Sequence, residues 1–339
     1  MVGGAIRWGI CSAGKICQDF AWNLLALPKD EHIIEAVASS SLERSKAFAA
    51  ERGISKAYGT YQELADDPNI DIVYIGSLNT QHKDQARMML EGGKAVLCEK
   101  PLCMTPKEAK TLFALAKEKN LFLMEAVWSR CSPVYAAIQK TIDDGEIGEV
   151  RVVQAMFGDY ISDPNHRVMI KELGGGALFD IGIYTLQLAQ FVFKECPYEQ
   201  HAVGFLNDQG VDITSNVALK YTKQRMASLT ISTVNVFSND AHICGTKGYI
   251  RIHPPFWTPS AITVNGQVRN FPFPKVDFKM NFRNSEGLTY EAKEVRRCLI
   301  NKELESPLIT HAMSIELAEI TEKLRNDLGY KLPHDSDKE

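Results

Sequence analysis

The first ~125 residues alternate short apolar runs with helix-period stretches, and this alternation restricts the chain to βαβ units wound around a parallel sheet. Arg7-Trp8-Gly9-Ile10-Cys11 reads as the first strand. A turn follows, then a helix through Ile16, Phe20, Leu24 and Leu27 that Pro28 closes. Ile33 to Ser39 predicts the second strand and Leu42 to Arg52 the next helix, with Gly53 where a C-terminal glycine stop belongs. Asp71 to Gly76 is a third strand, followed by a helix over 80–91 that Gly92-Gly93 ends. Lys94 to Cys98 is a fourth strand, apolar enough to be buried on both faces. Thr105, with Glu108 three residues on, opens a helix in a capping-box arrangement, and Leu121 to Glu125 makes a fifth strand.

After Trp128 the character changes. One or two helices lead to a strand over 149–158, and a helix over 177–193 follows. Strand-like runs then come at 200–207, 213–222, 226–236, 241–245, 248–253 and 261–264, without intervening helices, which indicates an antiparallel sheet. Helices over 289–301 and 311–328 and a polar tail after Pro333 finish the chain. The expected fold is α/β: an N-terminal Rossmann dinucleotide-binding domain over 1–126, and a C-terminal α+β domain with an open, mainly antiparallel sheet over 127–339. The second domain would bind substrate and make oligomer contacts, with the last helix free to pack back on the first.

Composition narrows the function classes. Length favours two domains, and a net charge of -4 from 38 basic and 42 acidic residues leaves no basic stripe for nucleic acid. The eight cysteines are scattered through apolar runs, as free thiols of a reducing compartment would be, and no Cys or His pair has zinc-like spacing, so no metal is expected. No stretch reads as a membrane span and no common lipidation or C-terminal address is recognised, so the expected location is the cytoplasm.

The first strand–helix turn, Gly9-Ile10-Cys11-Ser12-Ala13-Gly14, has the outer glycines of a dinucleotide fingerprint but Cys11 in the middle place. Such a turn lets the backbone approach a pyrophosphate seated on the N–H groups of the following helix, here beginning at Lys15 and Ile16. At the end of the second strand an acidic residue would take the ribose hydroxyls of NAD. The chain instead offers Ser39, Ser40 and Ser41, then Arg44, which suits the 2′-phosphate of NADP; Glu43 leaves the ribose contact open.

Several segments together carry a family resemblance. They are Trp8-Gly9-Ile10, Leu78-Asn79-Thr80-Gln81-His82, the run Gly93 to Pro101 ending Cys98-Glu99-Lys100-Pro101, Met124 to Trp128, and Gly174-Gly175-Gly176-Ala177-Leu178-Phe179-Asp180-Ile181-Gly182-Ile183-Tyr184. From end to end the chain resembles the glucose–fructose oxidoreductase/inositol dehydrogenase family. The resemblance implies an NADP-linked dehydrogenase, an active site between the domains, and a homodimer formed through the C-terminal sheet. Where this chain has Tyr184 the wider family often has His, and a second basic residue near Ser40 is absent.

Alcohol oxidation needs a base for the hydroxyl proton. Tyr184 serves if a nearby ammonium lowers its pKa, and Lys100, at the carboxyl edge of the parallel sheet, supplies that charge and polarises the substrate oxygen. Asp180, four residues before Tyr184 and on the same helical face, would orient Lys100 or hold a second hydroxyl. The competing readings are a surface lysine, a core tyrosine and a structural aspartate. Trp128 is expected against the nicotinamide or substrate, or in the core; Asn79, His82 and Glu99 beside the cofactor; Phe157, with Arg151, on the substrate side. The substrate expected is a vicinal diol, such as a trans-dihydrodiol of an aromatic hydrocarbon, or a pyranose such as D-xylose. The alternatives are another sugar or cyclitol reductase of that family and a non-catalytic NADP(H) sensor.

Overall fold

The computed structural model describes residues 4–332, so the tail after Pro333 and the terminal-address readings lie outside the described residues. Two compact units form. One takes in the described residues up to Cys131 together with Phe273–Ser314; the other takes in Ser132–Pro272 and the described residues from Ile315 on.

In the first unit six strands, β1 (Ile6–Cys11), β2 (His32–Ala38), β3 (Lys56–Tyr58), β4 (Ile72–Ile75), β5 (Ala95–Glu99) and β6 (Leu123–Ala126), lie in the order β3-β2-β1-β4-β5-β6. Every pairing is parallel. The order reverses between β1 and β4, where doubly wound sheets bind nucleotides. Helices α1 (Lys15–Leu25), α2 (Leu42–Arg52), α3 (Tyr61–Asp66), α4 (His82–Glu91) and α5 (Pro106–Glu118) connect the strands. The register pairs Cys11 with Ala38 and Ile75, and Ile75 with Cys98, so the carboxyl ends of these strands share one edge. Inside, Trp8 is fully buried, donates from Nε1 to His32 Nδ1 at 3.1 Å, and meets Phe20 edge-on; Phe20 in turn stacks on Tyr74 at 3.8 Å.

β3 and α3 were not expected from sequence, although Thr60 and Glu63 form a complete capping box at the start of α3. The box anticipated at Thr105 is only half formed: Thr105 accepts the Glu108 amide, while the Glu108 carboxylate turns to the Met104 amide.

The second unit begins with α6 (Pro133–Asp143). Its eight strands are β7 (Val150–Gly158), β8 (Glu199–Leu206), β9 (Asp212–Tyr221), β10 (Arg225–Ser232), β11 (Ala241–Gly245), β12 (Tyr249–Ile252), β13 (Ala261–Val264) and β14 (Gln267–Asn270). Their order is β14-β13-β12-β11-β7-β10-β9-β8. All neighbours are antiparallel except β7 and β10, which run parallel, so the expectation of a mainly antiparallel sheet holds. Val217, Leu219 and Tyr221 alternate inward along β9, as a sheet with one covered face requires. α7 (Ile183–Phe193) packs on β7 and β10. The run Lys171–Phe193 is apolar enough in composition for a membrane span, but its most apolar window is 89% buried within the protein, as a core helix is.

Residues 273–314, which the sequence places in the second domain, return to the first unit. α8 (Leu288–Ile300) packs on α1, and the fully buried Asp19 carboxylate accepts the Asn281 and Phe282 amides and the Ser285 hydroxyl at 2.8, 2.9 and 2.7 Å. The last helix, α9 (His311–Asp327), belongs to the second unit from Ile315 on. All eight cysteines are free; Cys196 is exposed, and Cys131 and Cys244 are partly so.

Candidate active site

At the switch point of the first unit, Gly14 caps α1 with extended backbone (φ -73°, ψ 171°), and no side chain makes a capping hydrogen bond at the helix start. The first-turn amides of this 11-residue helix therefore remain available to an anion, which fits a dinucleotide pyrophosphate. Ser12 takes φ +96°, and its Oγ accepts the Gly14 amide at 3.3 Å. Cys11, in the usual place of the middle glycine, is buried, and its Sγ contacts Gln85 Oε1 at 3.3 Å. Burial pushes its thiol well up, so it adds no negative charge beside a phosphate. Lys15 is exposed and Ile16 half-buried at the helix start.

Two glycines define the packing here. A Cβ on Gly9 would press on Ile70 and Leu64 at 3.1 and 3.2 Å; one on Gly76, after β4, would lie 2.6 Å from Cys17 Sγ and 2.9 Å from Ile16 Cγ2. Gly76 thus permits the close approach of helix to strand, and the sequence had not singled it out.

At the tip of β2 stands Ser39, expected beside the cofactor. Ser39 is buried and its hydroxyl is engaged in the turn, with Ser41 O at 2.8 Å and Ser45 Oγ at 2.9 Å. Ser41 caps α2 by accepting the Arg44 amide. Ser40 and Arg44 are exposed and free of that role, as is Glu43.

Glu99, expected beside the cofactor, ends β5. Its side chain is buried, with Oε1 accepting the Tyr74 hydroxyl at 2.6 Å and Oε2 facing the Lys100 amide at 3.3 Å. Glu99 therefore braces the backbone that presents Lys100, which is itself partly exposed. Buried His82 places Nδ1 2.8 Å from Pro101 O, so it holds the residue after Lys100. Asn79 is buried in the turn before α4, and Trp128 is buried just after β6.

In the second unit the glycine run has a steric cause. Gly174 and Gly176 take φ +72° and +114°, and a Cβ on Gly175 would sit 2.5–2.8 Å from the carbonyls of Val168, Ile170 and Arg167. A π-helical turn, Leu178–Gly182, follows and holds Asp180; Tyr184 stands at the start of α7. π turns recur at functional sites. Asp180 Oδ1 pairs with Arg167 Nη2 at 2.7 Å. Tyr184, 7% exposed, leans on Phe157 and Trp257 with ring centroids 5.9 and 6.3 Å away, and those two rings stack at 3.6 Å. Phe157, expected on the substrate side, stacks on Trp257 beside Tyr184; Arg167 and Trp257 were not singled out from sequence, for no periodicity links them to Asp180 or Tyr184. Arg151 stands apart at the other end of β7, bonded to Glu149 and the Lys223 carbonyl.

A bare helix start at the reversal of strand order suits a dinucleotide, and a phenol with a paired carboxylate suits a hydroxylated molecule; together they define a nicotinamide dinucleotide-dependent oxidoreductase. Residues 6–127 match the oxidoreductase family with an NAD-binding Rossmann fold, and residues 135–251 match the GFO/IDH/MocA C-terminal domain. The chain belongs to this GFO/IDH/MocA oxidoreductase family, the one its motifs resemble, and is a dehydrogenase. The trans-1,2-dihydrobenzene-1,2-diol dehydrogenase of Xenopus tropicalis is 44% identical over 330 residues, 97% of this chain and 100% of the relative. The Homo sapiens protein of that name is 41% identical over 333 residues, covering 98% and 99%. Among solved structures, aldose-aldose oxidoreductase from Caulobacter crescentus has a TM-score of 0.84 at 23% identity, over 95% of this chain and 97% of that one. Levoglucosan dehydrogenase scores 0.83 at 20% identity, over 96% and 97%. These two show the same fold.

Proposed function

We propose that this chain oxidises a CH–OH group of a vicinal diol, a trans-dihydrodiol of an aromatic hydrocarbon above all, or of a pyranose such as D-xylose, with NADP⁺ as acceptor. The observation that carries the reading is the grouping in the second unit of Tyr184, the stacked Phe157 and Trp257 rings, and the Arg167-paired Asp180. Flat aromatic walls take the apolar face of a ring, and a carboxylate takes a second hydroxyl. The names of the full-length relatives point the same way.

The nicotinamide, when bound, supplies the hydride acceptor. Tyr184 removes the hydroxyl proton as a general base. Lys100, presented at the carboxyl end of the parallel sheet, holds the substrate oxygen with its ammonium group. Asp180, fixed by Arg167, accepts from the neighbouring hydroxyl. NADP⁺ is preferred because exposed Ser40 and Arg44 stand at the β2 tip without a carboxylate at the strand end.

The outer face of the second unit's sheet carries exposed Val203, Phe205, Met156 and Met226, with Val203 and Phe205 70% and 71% exposed, which supports a homodimer through that face. Sedimentation of the purified protein tests the dimer, and the proposed location is the cytoplasm. For the activity, purified protein should reduce NADP⁺ faster than NAD⁺ with a trans-dihydrodiol or D-xylose. Turnover of neither substrate would reject the assignment.

A further inference from the structure

Asp212 opens β9, is wholly buried, and reaches the start of the segment that carries Asp180 and Tyr184. Its Oδ2 accepts the Leu178 N–H at 2.7 Å, an amide that the beginning of a helical run leaves without an intrahelical acceptor. Its Oδ1 has no hydrogen-bond partner and lies against Gly176, where any Cβ would collide with it. The carboxylate therefore touches both sides of the turn, the left-handed Gly176 and the first π-helical residue.

Other groups close the same turn. The Tyr330 hydroxyl donates to Gly175 O at 2.9 Å, and the Tyr330 ring meets Phe179 edge-on. The Gly175 and Gly176 amides donate to Ile170 O and Val168 O at 3.0 and 2.8 Å. An aspartate in this place is unfavourable for the fold: burial pushes its carboxyl up to about 7, and the backbone amides that oppose the shift do not cancel it.

We propose that Asp212 is a positioning residue for the reaction: by holding the Gly176–Leu178 turn it sets where the Asp180 carboxylate and the Tyr184 hydroxyl stand. The proposal rests on the roles given above to Asp180 and Tyr184. Helical backbone runs unbroken from Leu178 through both residues, so a displaced Leu178 amide moves both. Misplacing a reacting group by ~1 Å costs on the order of 10²-fold in rate.

Asp212→Ala removes the acceptor and Asp212→Asn keeps one; Asp212→Leu, of larger apolar volume, replaces Ala if that variant does not fold. Three quantities are measured on the full chain: kcat and KM with NADP⁺ and a trans-dihydrodiol, the Kd for NADP⁺ from protein fluorescence, and amide hydrogen exchange over 176–186. The Ala or Leu variant should lose ~10–100-fold in kcat, keep the wild-type Kd for NADP⁺, and exchange faster over 177–184, with Asn recovering most of both losses. A merely structural residue would lower thermal stability and the yield of NADP⁺-binding protein but leave kcat per binding site alone. Wild-type kcat together with unchanged exchange overturns the proposal. If the unmodified protein turns over neither diol nor sugar, the activity reading fails separately, and exchange alone decides whether Asp212 holds the turn.

Discussion

Arg167 Nη2 lies 2.7 Å from Asp180 Oδ1, in a part-exposed pair on the second unit. The guanidinium fixes the carboxylate oxygen in place through a charge-assisted hydrogen bond. Arg167→Ala should therefore raise KM for a diol and lower kcat/KM by ~10–100-fold, with NADP⁺ affinity unchanged. Steady-state kinetics on both substrates checks this, and an unaltered KM for the diol counts against the pairing's role.

Lys100→Met and Tyr184→Phe should each reduce kcat by roughly 10²–10⁴-fold, the usual contribution of a positioned acid–base group. Fluorescence titration should show NADP⁺ binding retained. An active Tyr184→Phe enzyme would remove the phenol from the proposed chemistry.

Ser40 is exposed at the β2 tip. Ser40→Asp places a carboxylate where a 2′-phosphate is expected and should lower kcat/KM for NADP⁺ by about tenfold or more relative to NAD⁺. The ratio of the two constants is the readout, and a ratio that does not move would locate the phosphate elsewhere.

His32 predicts an acid limb of stability. Burial, with Arg296 and Lys293 nearby, lowers its pKa from 6.5 to about 4. The unfolded chain binds the proton more readily, so stability is fully present above pH 6.5 and declines as pH falls toward 4, by on the order of 3 kcal/mol. Denaturant midpoints at pH 7.5, 6 and 4.5, followed by tryptophan fluorescence, should show the decline, and His32→Leu should flatten it. An equal slope in the variant would assign the acid limb to other groups.

Gly175→Ala forces a methyl against three backbone carbonyls that cannot rotate away. It should destabilise the second unit by roughly 1–3 kcal/mol or more. A calorimetric midpoint within a degree of wild type would show that the turn can relax.

Local patterns made much of the first unit legible. Apolar runs of four to seven residues between turn formers mark strands β1, β2, β4, β5 and β6, because strand and helix periods are set by neighbours along the chain. Gly53, with φ +66°, ends α2 as expected. Three-residue β3 is too short to show a period, although the Thr60–Glu63 box just after it was readable. Motifs singled out Lys100, Asp180 and Tyr184 as candidates, whereas Arg167 and Trp257 carry no local mark.

By itself, then, the sequence determined the order of strands and helices, the glycine turns and the residue types available for dehydrogenase chemistry, since each depends on short-range backbone preference. Only the tertiary structure decided which of those residues turn their side chains to holding the fold. Ser39 looks open at a strand tip yet bonds Ser41 and Ser45; Glu99 looks like a ligand yet holds Tyr74. It also decided that residues 273–314 return to the first unit, through an Asp19 carboxylate bonded to amides 262 and 263 positions away. Burial and hydrogen-bond pairing between distant segments leave no periodic trace in a chain, because each is satisfied by whatever the fold brings alongside.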